Sequence, residues 1–594
     1  MDNSNRSVSS FWETLNQQFL LLDIPLFGSM RMGAPTLLVL VLSITVNAVG
    51  LGGGAFVYFP DSGLYVGSAY IFFDEGSFRG VSLFRTPAYT AFLAPLLGLF
   101  GKYGVLAMAT AQHALTTAIP VFVVKIGNDL DDSRWLGLIA GVMAAFGLQL
   151  QSYARLPMTE VLYSFFCILG FLYTLLYLRN GKLWPFLLSI ALFSVATLVR
   201  PSGKLLPFAV MAVPAAQLLF YRWSFLLTGA EAPTRRRNVF YMIAGIAVYM
   251  AILTPWMIRN LMLHDHFGLS PTIGVNLYSN TIEYAGIRDN NSAALADIKA
   301  RFTENEAARI GRGESPQTEF DWSNHLAAFS SYREATGKSH VATDKVFLQA
   351  SLDAIKAHPL DYVSFVIRGA YKGFIGIVSA VYYIPGFDSN TYPPSYMPFA
   401  RDVRDNEIPR NTIAGISSAF IPKNQNPFLW RDPTPLTPIY GWLATRYLNV
   451  VGHGHIVFGV FLAGLLAATF LMIRHRNILW LAVLIYLAYT ALVPYLIVPI
   501  SPRHRLAADP IIDVVLALAC LQGVIIIRAL LPRLSAVLWA VGGQGARAGD
   551  GLQSTLRAEP HGQRPLTARI QGLAAITIYS ILLIAIFVLF AFFL

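Results

Sequence analysis

Apolar runs long enough to cross a lipid bilayer recur from one end of the chain to the other, and nothing else restricts its fold so severely. A helix rises about 1.5 Å per residue, so about 20 apolar residues traverse the hydrocarbon core. Runs of this kind lie at 35–57, 103–126, 135–152, 158–178, 183–199, 205–221, 239–258, 452–473, 477–499, 511–531 and 573–594. Two further stretches, 86–101 and 364–385, are broken by prolines, glycines or charges and either span or lie in the interface. Composition agrees, because only 13% of the 594 residues are charged. A soluble domain carries about a quarter. The expected fold class is an all-α polytopic membrane protein of about 11 transmembrane helices (roughly 10 to 13), with amphipathic interfacial helices and an outer-face segment.

Net charge is +11, but the arginines fall mostly in short loops between apolar runs, where they set orientation and not nucleic-acid binding. With the N-terminus cytoplasmic and 86–101 not fully crossing, four basic groups come to the inside. These are Arg179/Lys182, Arg222 with Arg235–Arg237, Arg474/Arg476, and the tail holding Arg533, Arg547, Arg557, Arg564 and Arg569. The expected organisation follows: a cytoplasmic N-terminus 1–34 kept as a signal anchor, and a transmembrane module 35–258 with outer loop 58–102. After these come a large outer segment 259–440, further spans in 441–531, a flexible cytoplasmic linker 532–572 and a last span 573–594. Within the outer segment, 301–345 is polar enough to be partly mobile. Cys167 and Cys520 lie in apolar runs and read as small core residues.

Several outer-face fragments carry candidate chemistry. Tyr58-Phe59-Pro60-Asp61-Ser62-Gly63-Leu64-Tyr65 emerges from the first span, and a poorly solvated carboxylate there suits a general base or a cation ligand. On position alone a plain helix-end Asp is the commoner case. Phe84-Arg85-Thr86-Pro87-Ala88-Tyr89 follows, then Tyr153-Ala154-Arg155-Leu156-Pro157-Met158-Thr159-Glu160 and Leu198-Val199-Arg200-Pro201. Further on stand Thr254-Pro255-Trp256-Met257-Ile258-Arg259-Asn260, His358-Pro359-Leu360-Asp361-Tyr362, and Ser501-Pro502-Arg503-His504-Arg505-Leu506 before Pro510.

In this order the fragments resemble the integral-membrane class C glycosyltransferases, in the bacterial branch related to protein O-mannosyltransferases and the lipid A aminoarabinose transferase. The resemblance covers about 40–510 and is poorest over 260–440. It implies a polyprenyl-phosphate-sugar-dependent glycosyltransferase, a hexosyl- or pentosyltransferase of cell-envelope glycan or lipopolysaccharide modification. It further implies a bacterial inner membrane and a site facing the periplasm. Asp61 matches the family's catalytic carboxylate, and Glu160 stands where the family has a second acid. Glu160 either orients the acceptor or forms a structural ion pair with Arg155. Arg503, His504, Arg505 and Arg85 are the candidate ligands of the donor phosphate, since arginine forks donate in pairs to phosphate oxygens. Tyr65, Tyr89 and Arg155 are candidate substrate contacts, although Tyr89, like Trp256, also fits an interfacial aromatic belt. Arg200 and Arg259 read as interface anchors. The partners implied are a polyprenyl-phosphate-linked sugar donor, a glycan, lipid or protein acceptor, and membrane lipid, with no nucleic acid.

No cofactor is required by these residues, and a divalent metal stays open. Asp129-Leu130-Asp131 has metal–nucleotide-sugar spacing but sits in a short cytoplasmic turn with no nucleotide-binding domain behind it. Gly52-Gly53-Gly54 lies within a span and opens no phosphate-binding helix. His453 and His455 have no third ligand at a recognisable spacing. The rival readings are a transporter or flippase of a lipid-linked sugar, and a polymerase or ligase of polyprenyl-linked glycans. A transporter predicts broken helices with charges at the bilayer midplane, whereas here the charges crowd at span ends.

Overall fold

The computed structural model describes residues 23–25, 31–54, 60–132, 134–219, 234–288, 292–313, 321–376, 434–475, 477–497 and 502–543. A short antiparallel ribbon comes first, β1 (Asp23–Pro25) on β2 (Arg31–Gly33), with Ile24 opposite Met32. Among the described residues, all regular secondary structure after it is helical. The first half runs α1 (Ala34–Gly53), α2 (Pro60–Glu75), α3 (Pro87–Phe100), α4 (Gly104–Leu130), α5 (Trp135–Ala145), α6 (Leu148–Tyr153), α7 (Glu160–Asn180), α8 (Leu183–Val199), α9 (Leu206–Leu219) and α10 (Arg235–His264). The segment expected on the outer face follows, and its helices form the module called outer on that expectation: α11 (Ile273–Tyr278), α12 (Ala293–Gly311), α13 (His325–Thr336), α14 (His340–Ala357) and α15 (Pro359–Ile375). The chain closes with α16 (Thr437–Val451), α17 (Gly454–His475), α18 (Ile478–Ile497), a 3-10 turn at Pro502–Arg505 and α19 (Asp509–Gly543).

Eight helical stretches among the described residues are long and apolar enough to cross a membrane, so the chain is an integral membrane protein. Eight of the eleven expected crossings have a counterpart among these stretches. Leu183–Val199 is a shorter apolar helix of 17 residues, α9 ends at Leu219 where the described residues stop, and 573–594 lies outside them, as does most of the linker. The uncertain stretch 86–101 is α3, which turns through Gly101–Tyr103 straight into α4. Of 364–385, the described part belongs to α15, an amphipathic helix. It buries Tyr362, Phe365, Val366 and Phe374 and leaves Leu360, Val363 and Ile367 exposed.

Polarity is arranged inside out relative to a soluble protein. On α1 the outward positions Leu38, Val41 and Ile44 are exposed and apolar, while Ser43, Asn47 and Gly50 face inward. The Asn47 amide oxygen accepts from the Thr116 hydroxyl at 2.6 Å and lies 2.8 Å from His113 Nδ1, while its nitrogen donates to the Ser43 carbonyl at 3.0 Å. In hydrocarbon no water competes for these groups, so interhelical hydrogen bonds and close backbone contact replace the hydrophobic effect as the adhesive. Close contact is clearest between α4 and α5, where a Cβ on Gly127 would lie 2.4 Å from Gly137 Cα.

The triple glycine has the same explanation. A Cβ on Gly53 would meet the Leu436 carbonyl at 2.5 Å, and Thr434 donates to the Gly52 carbonyl at 2.7 Å, so the start of α16 lies directly on the end of α1. Asp129, expected in a solvated turn, pairs with Arg179 at the end of α7.

The outer module has its own apolar cluster, built from Leu277, Tyr278, Ile298, Tyr332, Phe347 and Phe365 among others, with Tyr495 of α18 joining it. Asn280 Nδ2 donates to the Tyr495 carbonyl at 3.2 Å and Tyr362 donates to the Leu496 carbonyl, which seats the module on the end of α18. The tract 301–345, expected to be partly mobile, is helical over most of its described length. Ser292, Asn324 and Ser339 each cap a helix by accepting from the third residue on. Side-chain caps of this kind compensate the orphan N–H groups that low hydrophobicity alone does not reveal.

Candidate functional site

Asp61 is the second residue of α2, so its carboxylate sits in a helix first turn, where the macrodipole favours negative charge. Both oxygens are engaged. Oδ1 accepts from Arg85 Nη2 at 2.5 Å and Oδ2 from Arg503 Nη1 at 3.3 Å. Burial pushes Asp61 up, but the Arg85 and Arg503 guanidiniums outweigh it and hold the carboxyl below its ordinary value. Arg85 precedes α3, Arg503 lies in the turn before α19, and 442 residues separate Asp61 from Arg503. Three distant fragments therefore converge on one carboxylate. Tyr58 and Phe59 of the first fragment lie outside the described residues.

Each arginine has something to spare. Among the described residues, Arg85 Nε and Arg503 Nε are buried N–H donors with no hydrogen-bond partner. A buried guanidinium N–H without an acceptor costs free energy unless an anion meets it. Burial draws Arg503 down, but Glu160 and Asp61 more than compensate and keep it cationic.

Glu160 opens α7 and is 1% exposed. Its Oε1 accepts from Arg200 Nη1 at 2.9 Å, so its ion pair is with Arg200 and not with Arg155. Its Oε2 is buried without a hydrogen-bond partner among the described residues. Arg200 also lies 3.2 Å from His504 Nδ1 through Nη2. A guanidinium only donates, so that imidazole nitrogen must accept, which makes His504 neutral with its proton on Nε2. Arg200 is thus part of the cluster and no mere interface anchor, and its place beside Glu160 was not visible in sequence.

The remaining expected site residues divide. Tyr65 lies under Arg85, whose Cζ stands 5.0 Å from its ring centre, and meets Tyr89 edge-on at 5.1 Å. Tyr89 is fully buried and donates to Gln112 Oε1 at 3.2 Å, so it does not belong to an interfacial belt. Gln112 in turn donates to the carbonyls of Ala154 and Leu156 at 3.1 and 2.8 Å, fixing the turn that leads to Glu160. Arg155 points elsewhere. It donates to the Tyr440 hydroxyl at 2.7 Å, stacks on that ring, and presses on Gly54, where a Cβ would lie 1.1 Å from its Nη1. Arg505 also turns away, donating to Asp509 at 2.6 Å and lying over Phe374. Trp256 is buried too, donating to the Leu269 carbonyl at 3.0 Å. Among the described residues no group of three His, Cys, Asp or Glu is placed to hold a metal ion, and His455 pairs with the Tyr371 hydroxyl.

No family model matches the chain, and none of the curated proteins does. Among solved structures, it is similar to the archaeal oligosaccharyltransferase AglB from Archaeoglobus fulgidus, in complex with an inhibitory peptide and a dolichol-phosphate. That match has 13% identity, covers 92% of this chain and 55% of that one, and has a TM-score of 0.40. The chain thus spans about half the length of the oligosaccharyltransferase. It is also similar to ArnT from Cupriavidus metallidurans bound to undecaprenyl phosphate, at 14% identity, covering 84% and 79%, with a TM-score of 0.31. ArnT is the lipid A aminoarabinose transferase of the group the sequence resembles. At these TM-scores the overlays are loose and carry nothing on activity.

Proposed function

We propose that the chain is a glycosyltransferase that moves a sugar from a polyprenyl-phosphate donor to an acceptor hydroxyl at the outer, periplasmic face of a bacterial inner membrane. The observation that carries this reading is the convergence of Arg85 and Arg503 on Asp61, each with a buried Nε–H to spare. Charge supports a monophosphate carrier. Arg85, Arg200 and Arg503 against Asp61 and Glu160, with His504 neutral, leave one positive charge. A phosphodiester carries one negative charge and a diphosphate two, which favours transfer from a monophosphate over a diphosphate-linked glycan polymerase or ligase. Clustering of these charges at helix ends, and not midway along broken helices, favours an enzyme over a transporter.

In this mechanism the donor phosphate takes up the two guanidiniums, and Asp61, relieved of them, becomes the general base. The acceptor hydroxyl oxygen attacks the anomeric carbon as the bond to the phosphate oxygen breaks. Its proton passes to Asp61, and the second negative charge developing on the carrier phosphate is met by Arg85 and Arg503. Glu160 Oε2 orients the acceptor by accepting from a hydroxyl. The sugar is a hexose or pentose, and the acceptor a glycan, lipid or protein.

The test is competition for a labelled polyprenyl-phosphate monosaccharide by unlabelled polyprenyl-monophosphate-linked and polyprenyl-diphosphate-linked monosaccharides. Monophosphate should compete at least about tenfold better, and Arg503→Gln should weaken binding by about 1.5–3 kcal/mol, the worth of a charge-assisted hydrogen bond. Equal competition, or an unaffected Arg503→Gln protein, contradicts the proposal.

A further inference from the structure

The segment joining Asp61's helix to Arg85 has no regular secondary structure, yet its carbonyls are gripped from outside. Arg259, near the end of α10, makes four hydrogen bonds to three carbonyls on it through two nitrogens: Nε to Phe78 O at 3.1 Å, and Nη2 to Phe78 O at 2.7 Å, Arg79 O at 3.0 Å and Val81 O at 2.5 Å. Nη1 donates to Asn260 Oδ1 at 2.8 Å, and the guanidinium lies over the Trp256 ring at 4.6 Å. Trp256 meets Phe78 edge-on at 5.8 Å. Asn260 is fully buried and donates to the Gly268 carbonyl at 2.8 Å, so the base of this clamp is itself fixed.

The hold passes to Arg85 through short turns. Val81 N–H donates to Phe78 O at 3.2 Å, and Arg85 N–H donates to Ser82 O at 3.4 Å. On the far side Ser270 Oγ donates to Phe84 O at 3.0 Å, and the Phe84 ring packs edge-on against His340 of the outer module at 4.5 Å. Thr86 is pinned to the Val199 carbonyl at 3.1 Å. Arg259 itself, among the contacts above, touches neither Asp61 nor Arg85.

We infer that Arg259 is a positioning residue that sets the place of the Arg85 guanidinium, and through it the affinity for an anionic lipid donor. The inference rests on Arg85 being a phosphate ligand, as proposed above. A planar fork can meet several carbonyls at once, whereas an ammonium on a flexible stem is a point charge that cannot hold the same set. Arg259→Lys therefore keeps the charge and loses the geometry.

The experiment measures polyprenyl phosphate binding to the full chain in detergent, for wild type, Arg259→Lys, Arg85→Gln and the double variant, with thermal unfolding of each. Arg259→Lys should weaken binding about tenfold in the wild-type background, since small misplacements of a positioning group have large effects. In the Arg85→Gln background it should change binding less than about twofold, because the route of its effect is gone. An equal loss in both backgrounds, or no loss in the first, overturns the inference. Ser270→Ala, which removes one hydroxyl beside Phe84, carries the same comparison if Arg259→Lys unfolds, with a smaller loss that again must vanish without Arg85. A wild-type protein that does not bind polyprenyl phosphate would instead overturn the proposed function.

Discussion

A carboxylate between two guanidiniums is a poor base until an anion draws those guanidiniums away, and in the proposed reaction this tension governs Asp61. Its folded-state pKa lies below the ordinary 3.8, so folding favours the ionised form. The stability this contributes is fully present above about pH 3.8 and is lost as the pH falls through the lower folded value. Acid unfolding in detergent should therefore show a limb below about pH 4 that flattens in Asp61→Asn; an unchanged limb would mean the pair does not form. Asp61, Arg85, Arg503 and Glu160 are singled out in sequence by the family resemblance, since position alone makes a plain helix-end Asp the commoner case at Asp61. Their partners are not. Which span ends abut is a property of packing, so sequence offers Glu160 only its neighbour Arg155 as a structural ion-pair partner, beside an acceptor-orienting role, whereas Arg200 reaches it from the end of α8. Arg155 and Arg505 carry the same charge as the site's arginines but pack on Tyr440 and Asp509, a distinction that charge and spacing do not contain.

Among the elements, the seam between α1 and its neighbours bears most of the structural consequence. Gly54 leaves no room for a methyl beside Arg155, so Gly54→Ala must expel the guanidinium from the Tyr440 ring. Thermal unfolding should fall by the equivalent of about 1–3 kcal/mol, the cost of a buried group left unpartnered, and a neutral result would refute the close packing. Deeper in the same seam, Asn47→Ala leaves Thr116 and His113 without their shared acceptor. About 0.6–2 kcal/mol is expected, measured against Ser43→Ala as a milder control. The glycine run was read in sequence only as what it is not, since its positive role depends on Leu436 and Tyr440 arriving from far along the chain. The eight membrane-length helical stretches are legible in sequence, because membrane-length apolarity is the strongest pattern a sequence offers. The capped helices of the outer module were missed because caps are single polar residues in a polar tract.

Taken whole, the molecule has a direction. Helix α10 is 30 residues long, which spans about 45 Å, with Arg235–Arg237 at one end and the module of α11–α15 following the other. Single cysteines at positions 236 and 356, in a chain with Cys167 and Cys520 replaced, should be labelled from opposite sides of sealed vesicles; labelling of both from one side would contradict the arrangement. The direct test of the central claim is sugar release by the purified protein from a panel of radiolabelled polyprenyl-phosphate monosaccharides, with Asp61→Asn alongside. Release from one donor, lowered at least about 100-fold in a variant that still folds and binds carrier, is the predicted result. Asp61→Asn protein with full activity would contradict the account, as would wild type that binds no donor in the panel.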